Sequence, residues 1–108
     1  IIVVEGDAGS YLGWRMIAGT VVGLGEVGPY PGYAMKRGTL LLRELPALVS
    51  PTFSDNGSHD LGFVRLLSRY VTESSGAPAR FDNLGVRVRR LIGDAAVGGK
   101  GELLIWQD

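Results

Sequence analysis

Apolar residues in this chain come in short runs at a fixed spacing. Ile2-Val3-Val4, Val21-Val22 and Leu40-Leu41-Leu42 begin 19 residues apart. Each run is too short for a helix of ~10–12 residues and does not alternate with polar positions, so it reads as a strand covered on both faces. Strands are predicted over 1–5, 20–24 and 39–43. Residues 43–56 carry Pro46 and Pro51 and read as a connecting loop. The period then changes: Leu61, Val64, Leu67 and Val71 are spaced 3, 3 and 4 apart, with Phe63, Leu66 and Tyr70 widening the apolar side. This predicts an amphipathic helix over 58–72, with Ser58 as N-cap, Asp60 in the first turn, and Arg65 and Arg69 on the far side. Gly62 inside such a helix costs ~1 kcal/mol relative to alanine, so the helix is expected to pack against the strands rather than stand alone. After a loop over 76–83, extended runs return at 86–92 and 102–106.

The spacing is an internal repeat. Residues 1–19 laid over residues 20–38 without a gap share Val3/Val22, Gly6/Gly25, Gly9/Gly28, Tyr11/Tyr30, Gly13/Gly32, Met16/Met35 and Gly19/Gly38. A period near 20 residues marks a solenoid, in which each coil buries its apolar face only against the next. The eight glycines Gly6, Gly9, Gly13, Gly19, Gly25, Gly28, Gly32 and Gly38 are read as its structural corners. Gly93-Asp94-Ala95 repeats Gly6-Asp7-Ala8, and Lys100-Gly101-Glu102-Leu103 follows Arg37-Gly38-Thr39-Leu40, so the last coil looks shortened. The expected organisation is one domain: coils over 1–43, a loop and helix insertion over 44–83, and a closing coil over 84–108. The chain opens inside an apolar strand without a methionine, which suggests the C-terminal portion of a longer protein with more coils upstream.

Residues 23–28 spell G-x-G-x-x-G after a strand-like run. A dinucleotide loop needs a helix to open across those glycines. Pro29-Tyr30-Pro31-Gly32 follows instead and cannot form its first turn.

Composition narrows the classes of function. Glycine accounts for 17 of 108 residues, about double its usual share. Without cysteine and with one histidine, there is no disulfide frame, no thiolate site and little basis for zinc. Eleven basic residues balance eleven acidic ones, which argues against a dedicated nucleic-acid or membrane surface. No apolar run approaches the ~20 residues of a spanning helix, and a cytoplasmic setting is expected.

The motif G-D-A-G-x-Y-x-G-x-x-M-x-x-G at residues 6–19 resembles the repeat of the C subunits of formylmethanofuran dehydrogenase and of the bacterial formyltransferase/hydrolase complex. P-G-Y-A-M-K-R-G-T at 31–39 is similar to their last full coil. P-T-F-S-D-N-G-S-H-D at 51–60 and G-K-G-E-L-L-I-W at 99–106 resemble the bacterial form more closely. The C-terminal domain of the glutamate synthase large subunit has glycine repeats of the same kind and is the rival family, a free-standing ligand-binding solenoid being a third reading. The resemblance implies an all-β fold, a right-handed single-stranded parallel β-helix with one packed α-helix. It also implies a non-catalytic scaffold in a one-carbon oxidoreductase or formyl-transfer complex linked to tetrahydromethanopterin. Methanofuran-type coenzyme and metal cofactors would then belong to the other subunits, with none bound by this chain.

Few residues invite chemistry. Ser58-His59-Asp60 has the letters of a triad, but adjacent side chains cannot form the relay. No catalytic residue and no metal ligand is assigned. Met16 over Met35, Tyr11 over Tyr30 and Trp14 over Tyr33 read as stacked ladders. Arg87 and Arg89 share one face of an extended segment while Arg90 points to the other. With Arg65 and Arg69, these arginines are the candidates for contact with a polyanion or a neighbouring subunit.

Overall fold

Burial on both faces explains why the apolar runs do not alternate. The computed structural model describes residues 2–4, 6–46, 48–74 and 87–107. In chain order these form β1 (Ile2–Val4), β2 (Thr20–Gly23), β3 (Thr39–Leu42), β4 (Ser54–Asp60), α1 (Gly62–Ser74), β5 (Arg87–Gly93), a single 3-10 turn (Ala95–Val97) and β6 (Gly101–Trp106). The strands make one sheet in the order β1-β2-β3-β6-β5-β4. Leu41 and Leu104 face one side with Val22, Val88 and Trp106, and there Val64 and Leu67 of α1 cover them. Leu40, Leu42, Leu103 and Ile105 face the other, beneath Val27, Met35, Phe53 and the half-buried Leu12 and Met16. Leu40, Leu41, Leu42, Leu103 and Leu104 are all fully buried. Each contributes on the order of 1.5–3 kcal/mol by leaving water.

The sheet is mixed, which corrects the expected fold class. β1, β2, β3 and β6 run parallel, with Ile2 beside Val21, Thr20 beside Thr39, and Thr39 beside Glu102. β5 is antiparallel to β6 on one side and to β4 on the other. Neither an all-β parallel β-helix nor a glycine-repeat solenoid therefore describes the chain. The reason is connection length. Fifteen residues separate β1 from β2 and β2 from β3, enough for a crossover between parallel neighbours. Seven separate β5 from β6, which suffices only for a hairpin, and Gly93 pairs with Gly101 across it. Gly93 is therefore no counterpart of the Gly6 and Gly25 corners.

The helix also begins later than predicted. Ser58, His59 and Asp60 belong to β4, opposite Arg89, Val88 and Arg87. Ladder pairing with β5 holds them extended. Ser58 is thus no N-cap, and the first turn of α1 holds no acidic residue. Gly62 occupies the first helical position, where the cost of an interior glycine does not apply. Ile1, Glu5, Val86 and the loop expected over 76–83 lie outside the described residues.

No helix opens across residues 23–28. β2 ends at Gly23, and the chain passes through a bend, a single parallel bridge from Val27 to Ala8, and turns up to Ala34.

Candidate functional site

Three surface features could carry function: the outer side of α1, the β4/β5 edge, and the turns between the parallel strands. Helical spacing divides the apolar residues of α1 into two sets. Val64 and Leu67 are buried against the sheet, whereas Phe63, Leu66 and Tyr70 are exposed, Leu66 by 66%. Positions 63, 66 and 70 share one side of a helix. Arg65 and Arg69 are exposed beside them. The sequence had grouped all of these apolar residues into a single core-facing side. The helix buries only part of that side.

The arginine run on β5 is divided by pleat and by partners. Arg87 and Arg89 are exposed and Arg90 is half-buried. Arg89 Nε donates to Asp55 Oδ2 at 2.9 Å, and its terminal NH2 donates to the same oxygen. The Arg89 guanidinium, helped by the Gly57 N–H at 2.9 Å, holds the Asp55 carboxyl below the usual carboxylate range, and Asp55 in turn pushes Arg89 up. Arg90 Nε donates to Glu102 Oε2 at 2.8 Å, and Thr39 Oγ1 donates to Glu102 Oε1 at 2.9 Å. Two of the three arginines are therefore engaged within the chain. Arg65 and Arg69 lie on α1, a separate element from that run.

Ser58, His59 and Asp60 form no relay. His59 Nε2 meets the Asn56 carbonyl at 2.8 Å, and Ser58 Oγ donates to Gln107 Oε1. Among the described residues, no three acidic or histidine side chains group in a way that could hold a metal ion.

The repeat glycines do different jobs. A Cβ on Gly25 would lie 2.5 Å from the Gly6 carbonyl oxygen, and one on Gly28 would lie 2.7 Å from the Gly9 carbonyl carbon. Gly6 and Gly9 themselves face open space. Gly13, Gly19, Gly32 and Gly38 take positive φ, and so do Tyr11 and Tyr30 at 62° and 59°. Tyr11 stacks on Tyr30 with ring centroids 6.0 Å apart. It meets Tyr33 edge-on at 5.5 Å and 82°, and together with Trp14 these rings line an open cleft of about 410 Å³. Trp14 and Tyr33, expected to form a second aromatic ladder, both line this cleft.

Sequence reading missed Asp94. It is 1% exposed, and its carboxylate accepts hydrogen bonds from Ala34 N at 2.8 Å, Ala96 N at 3.0 Å and Thr52 Oγ1. Burial pushes its pKa up, but the three donors outweigh that and hold the carboxyl below its ordinary value. Ser50 Oγ lies 2.7 Å from Thr52 Oγ1 and extends the network. Asp94 thus ties together three segments distant in sequence.

This arrangement of strands and turns has a counterpart of known structure. One chain of the X-ray crystal structure of the formyltransferase/hydrolase complex (FhcABCD) from Methylorubrum extorquens in complex with methylofuran matches it. The TM-score is 0.70 at 34% sequence identity, over 98% of this chain and 46% of that one. The C subunit of the Fhc formyltransferase/hydrolase complex from the same organism is 44% identical over 55 residues, 51% of this chain and 20% of the relative. In sequence and fold this chain is similar to that complex and to its C subunit. It spans less than half the length of either protein it matches. No family model matches it. The resemblance to Fhc is therefore carried by sequence and fold together. Among the described residues, no helix is long and apolar enough to cross a membrane.

Proposed function

We propose that this chain acts as a non-catalytic scaffold subunit in a hetero-oligomeric complex of the formyltransferase/hydrolase kind, in tetrahydromethanopterin-linked one-carbon metabolism in the cytoplasm. A methanofuran-type coenzyme and the metal cofactors would be held by the other subunits. Kinship with the Fhc C subunit supports the class of complex. The observation that carries the scaffold role is the outer side of α1. Phe63, Leu66 and Tyr70 remain exposed although the same helix buries Val64 and Leu67, and Arg65 and Arg69 flank them. Aromatic residues and arginine are enriched at subunit interfaces, and an amphipathic helix with a second apolar side suits a groove on a neighbouring subunit. Among the described residues, Arg89 and Arg90 bind Asp55 and Glu102 and the other three form no ion pair, so Arg65 and Arg69 on α1, and Arg87 on β5, are the cations of the predicted set proposed to meet acidic groups of a neighbouring subunit.

Co-expression with the other subunits tests this reading. Leu66→Glu should abolish copurification while leaving the circular dichroism spectrum of the isolated chain unchanged. Copurification at full yield despite Leu66→Glu and Tyr70→Glu together would remove α1 from the interface.

A further inference from the structure

Edge strand β4 contains the one asparagine–glycine step of the chain, Asn56-Gly57, and the sheet leaves that step outside its ladder. Asp55 pairs with Leu91 and Ser58 with Arg89, so Asn56 and Gly57 together oppose only Arg90. Two residues facing one make a bulge, in which the extra residue has no ladder partner. Gly57 takes φ 78°, a Cβ there would meet nothing within 4 Å, and Asn56 is exposed. Among the described residues, no hydrogen bond holds the Asn56 side-chain amide.

The peptide bond between the two residues is engaged at both ends. Its N–H, from Gly57, donates to Asp55 Oδ1 at 2.9 Å. Its carbonyl, from Asn56, meets His59 Nε2 at 2.8 Å, and because a carbonyl only accepts, that ring nitrogen carries the proton. A donor on the carbonyl oxygen draws electron density out of the amide and makes its N–H more acidic. The carboxylate at the other end favours departure of that proton. Hydrogen bonds in series polarise one another in this way. Arg89 keeps Asp55 ionised, and so able to accept, by holding its carboxyl below the usual carboxylate range. A peptide group inside a ladder is protected by contrast, because its N–H is committed to the carbonyl of the neighbouring strand.

We propose that Asn56-Gly57 is a self-modifying site, at which the folded chain converts Asn56 to aspartate and isoaspartate. Gly57 N gives up its proton through Asp55 Oδ1 to water and bonds to Asn56 Cγ. The bond from Cγ to the side-chain nitrogen breaks, and that nitrogen takes a proton from water and leaves as ammonia. The product is a five-membered succinimide. One water molecule then opens it: attack at Cγ gives aspartate, and attack at the main-chain carbonyl gives isoaspartate. No oxidant, reductant or cofactor enters the balance. Either product adds a carboxylate next to Asp55, and isoaspartate also routes the backbone of β4 through the side-chain carbons. The site thus writes a charge and a backbone change onto the edge of the sheet as the protein ages. It is separate from the outer side of α1 and does not depend on the scaffold reading.

The test is incubation of the full chain at neutral pH, read by peptide mapping with mass spectrometry and by enzymatic methylation of isoaspartate. A synthetic peptide of residues 52–60 is the unstructured reference. Conversion of Asn56 in the folded chain is expected to be at least as fast as in the peptide, with isoaspartate among the products. His59→Ala should slow it several-fold in the folded chain and leave the peptide unaffected, and Asp55→Ala should do the same. Slower conversion in the folded chain than in the peptide would overturn the proposal. So would unchanged rates in both variants with unaltered circular dichroism spectra.

Discussion

At the scale of single residues, two positions of one repeat pair behave differently because their surroundings differ. Gly25 and Gly28 lie against the backbone of Gly6 and Gly9, so an added Cβ meets atoms that cannot turn aside. Gly25→Ala or Gly28→Ala should cost ~1–3 kcal/mol, the range of overpacked sites. In a domain of this size, that lowers the thermal midpoint by roughly 4–8 °C per kcal/mol. Gly6→Ala, in open space, is the matched control and should leave the midpoint nearly unchanged. Equal effects at Gly6 and Gly25 would mean that close backbone approach is not what selects glycine.

Asp94 makes a second residue-scale prediction. Its folded pKa lies below the ordinary value of 3.8. The stability it contributes is therefore fully present above about pH 4 and is lost as pH falls through the folded pKa. Asp94→Asn places an amide where three donors converge and should cost ~1–3 kcal/mol at neutral pH. It should also flatten the acid limb of stability against pH. Urea midpoints of both proteins from pH 2.5 to 7 check both effects, and parallel acid limbs would contradict this role for the carboxylate.

At the scale of elements, α1 is divided lengthwise, and its two sides should respond differently to the same truncation. Leu67 is 8% exposed and packs with Val22, Leu41 and Leu104, so Leu67→Ala should cost ~2–5 kcal/mol. Leu66, on the outer side, should stay within ±0.5 kcal/mol. Equilibrium urea unfolding separates these outcomes, and a large loss at Leu66 would mean that the outer side is part of the core. The sequence made the helix legible through Leu61, Val64 and Leu67 but could not say how wide a side it buries, because Phe63 and Leu66 are as apolar as Val64. Its start was misread because Ser58 and Asp60 suit a helix N-terminus as well as an edge strand, and only the residues opposite them, Arg89 and Arg87, decide. The direction of β5 was open to derivation, since seven residues between Gly93 and Gly101 are too few for a parallel crossover. Treating Gly93 as a repeat corner concealed it. The aromatic cleft was less accessible, as nothing in Tyr11 or Tyr30 signals a positive φ.

At the scale of the whole molecule, the sheet has two edges of opposite character. β4 is guarded: all seven of its residues are exposed, it carries Asp55, His59 and Asp60, and its pairing with β5 is irregular between Asp55 and Ser58. Charge and irregular pairing are the usual means of discouraging another strand from adding to an edge. β1 has neither. It consists of Ile2, Val3 and Val4, is paired only on its β2 side, and leaves Ile2 62% exposed. The backbone beyond it at Gly6 and Gly9 is equally open. The 108-residue chain in isolation should therefore self-associate with rising concentration through β1. Ile2→Lys should shift the population toward monomer in sedimentation velocity, because a lysine there must desolvate for a second strand to pair. Its side chain is exposed already, so the thermal midpoint of the monomer should move little. Ser54→Lys on the guarded edge is the counterpart and should leave the association unchanged. A chain that stays monomeric at all concentrations, or one in which Ser54→Lys disperses the oligomers as well as Ile2→Lys does, would show that β1 is not the adhesive edge.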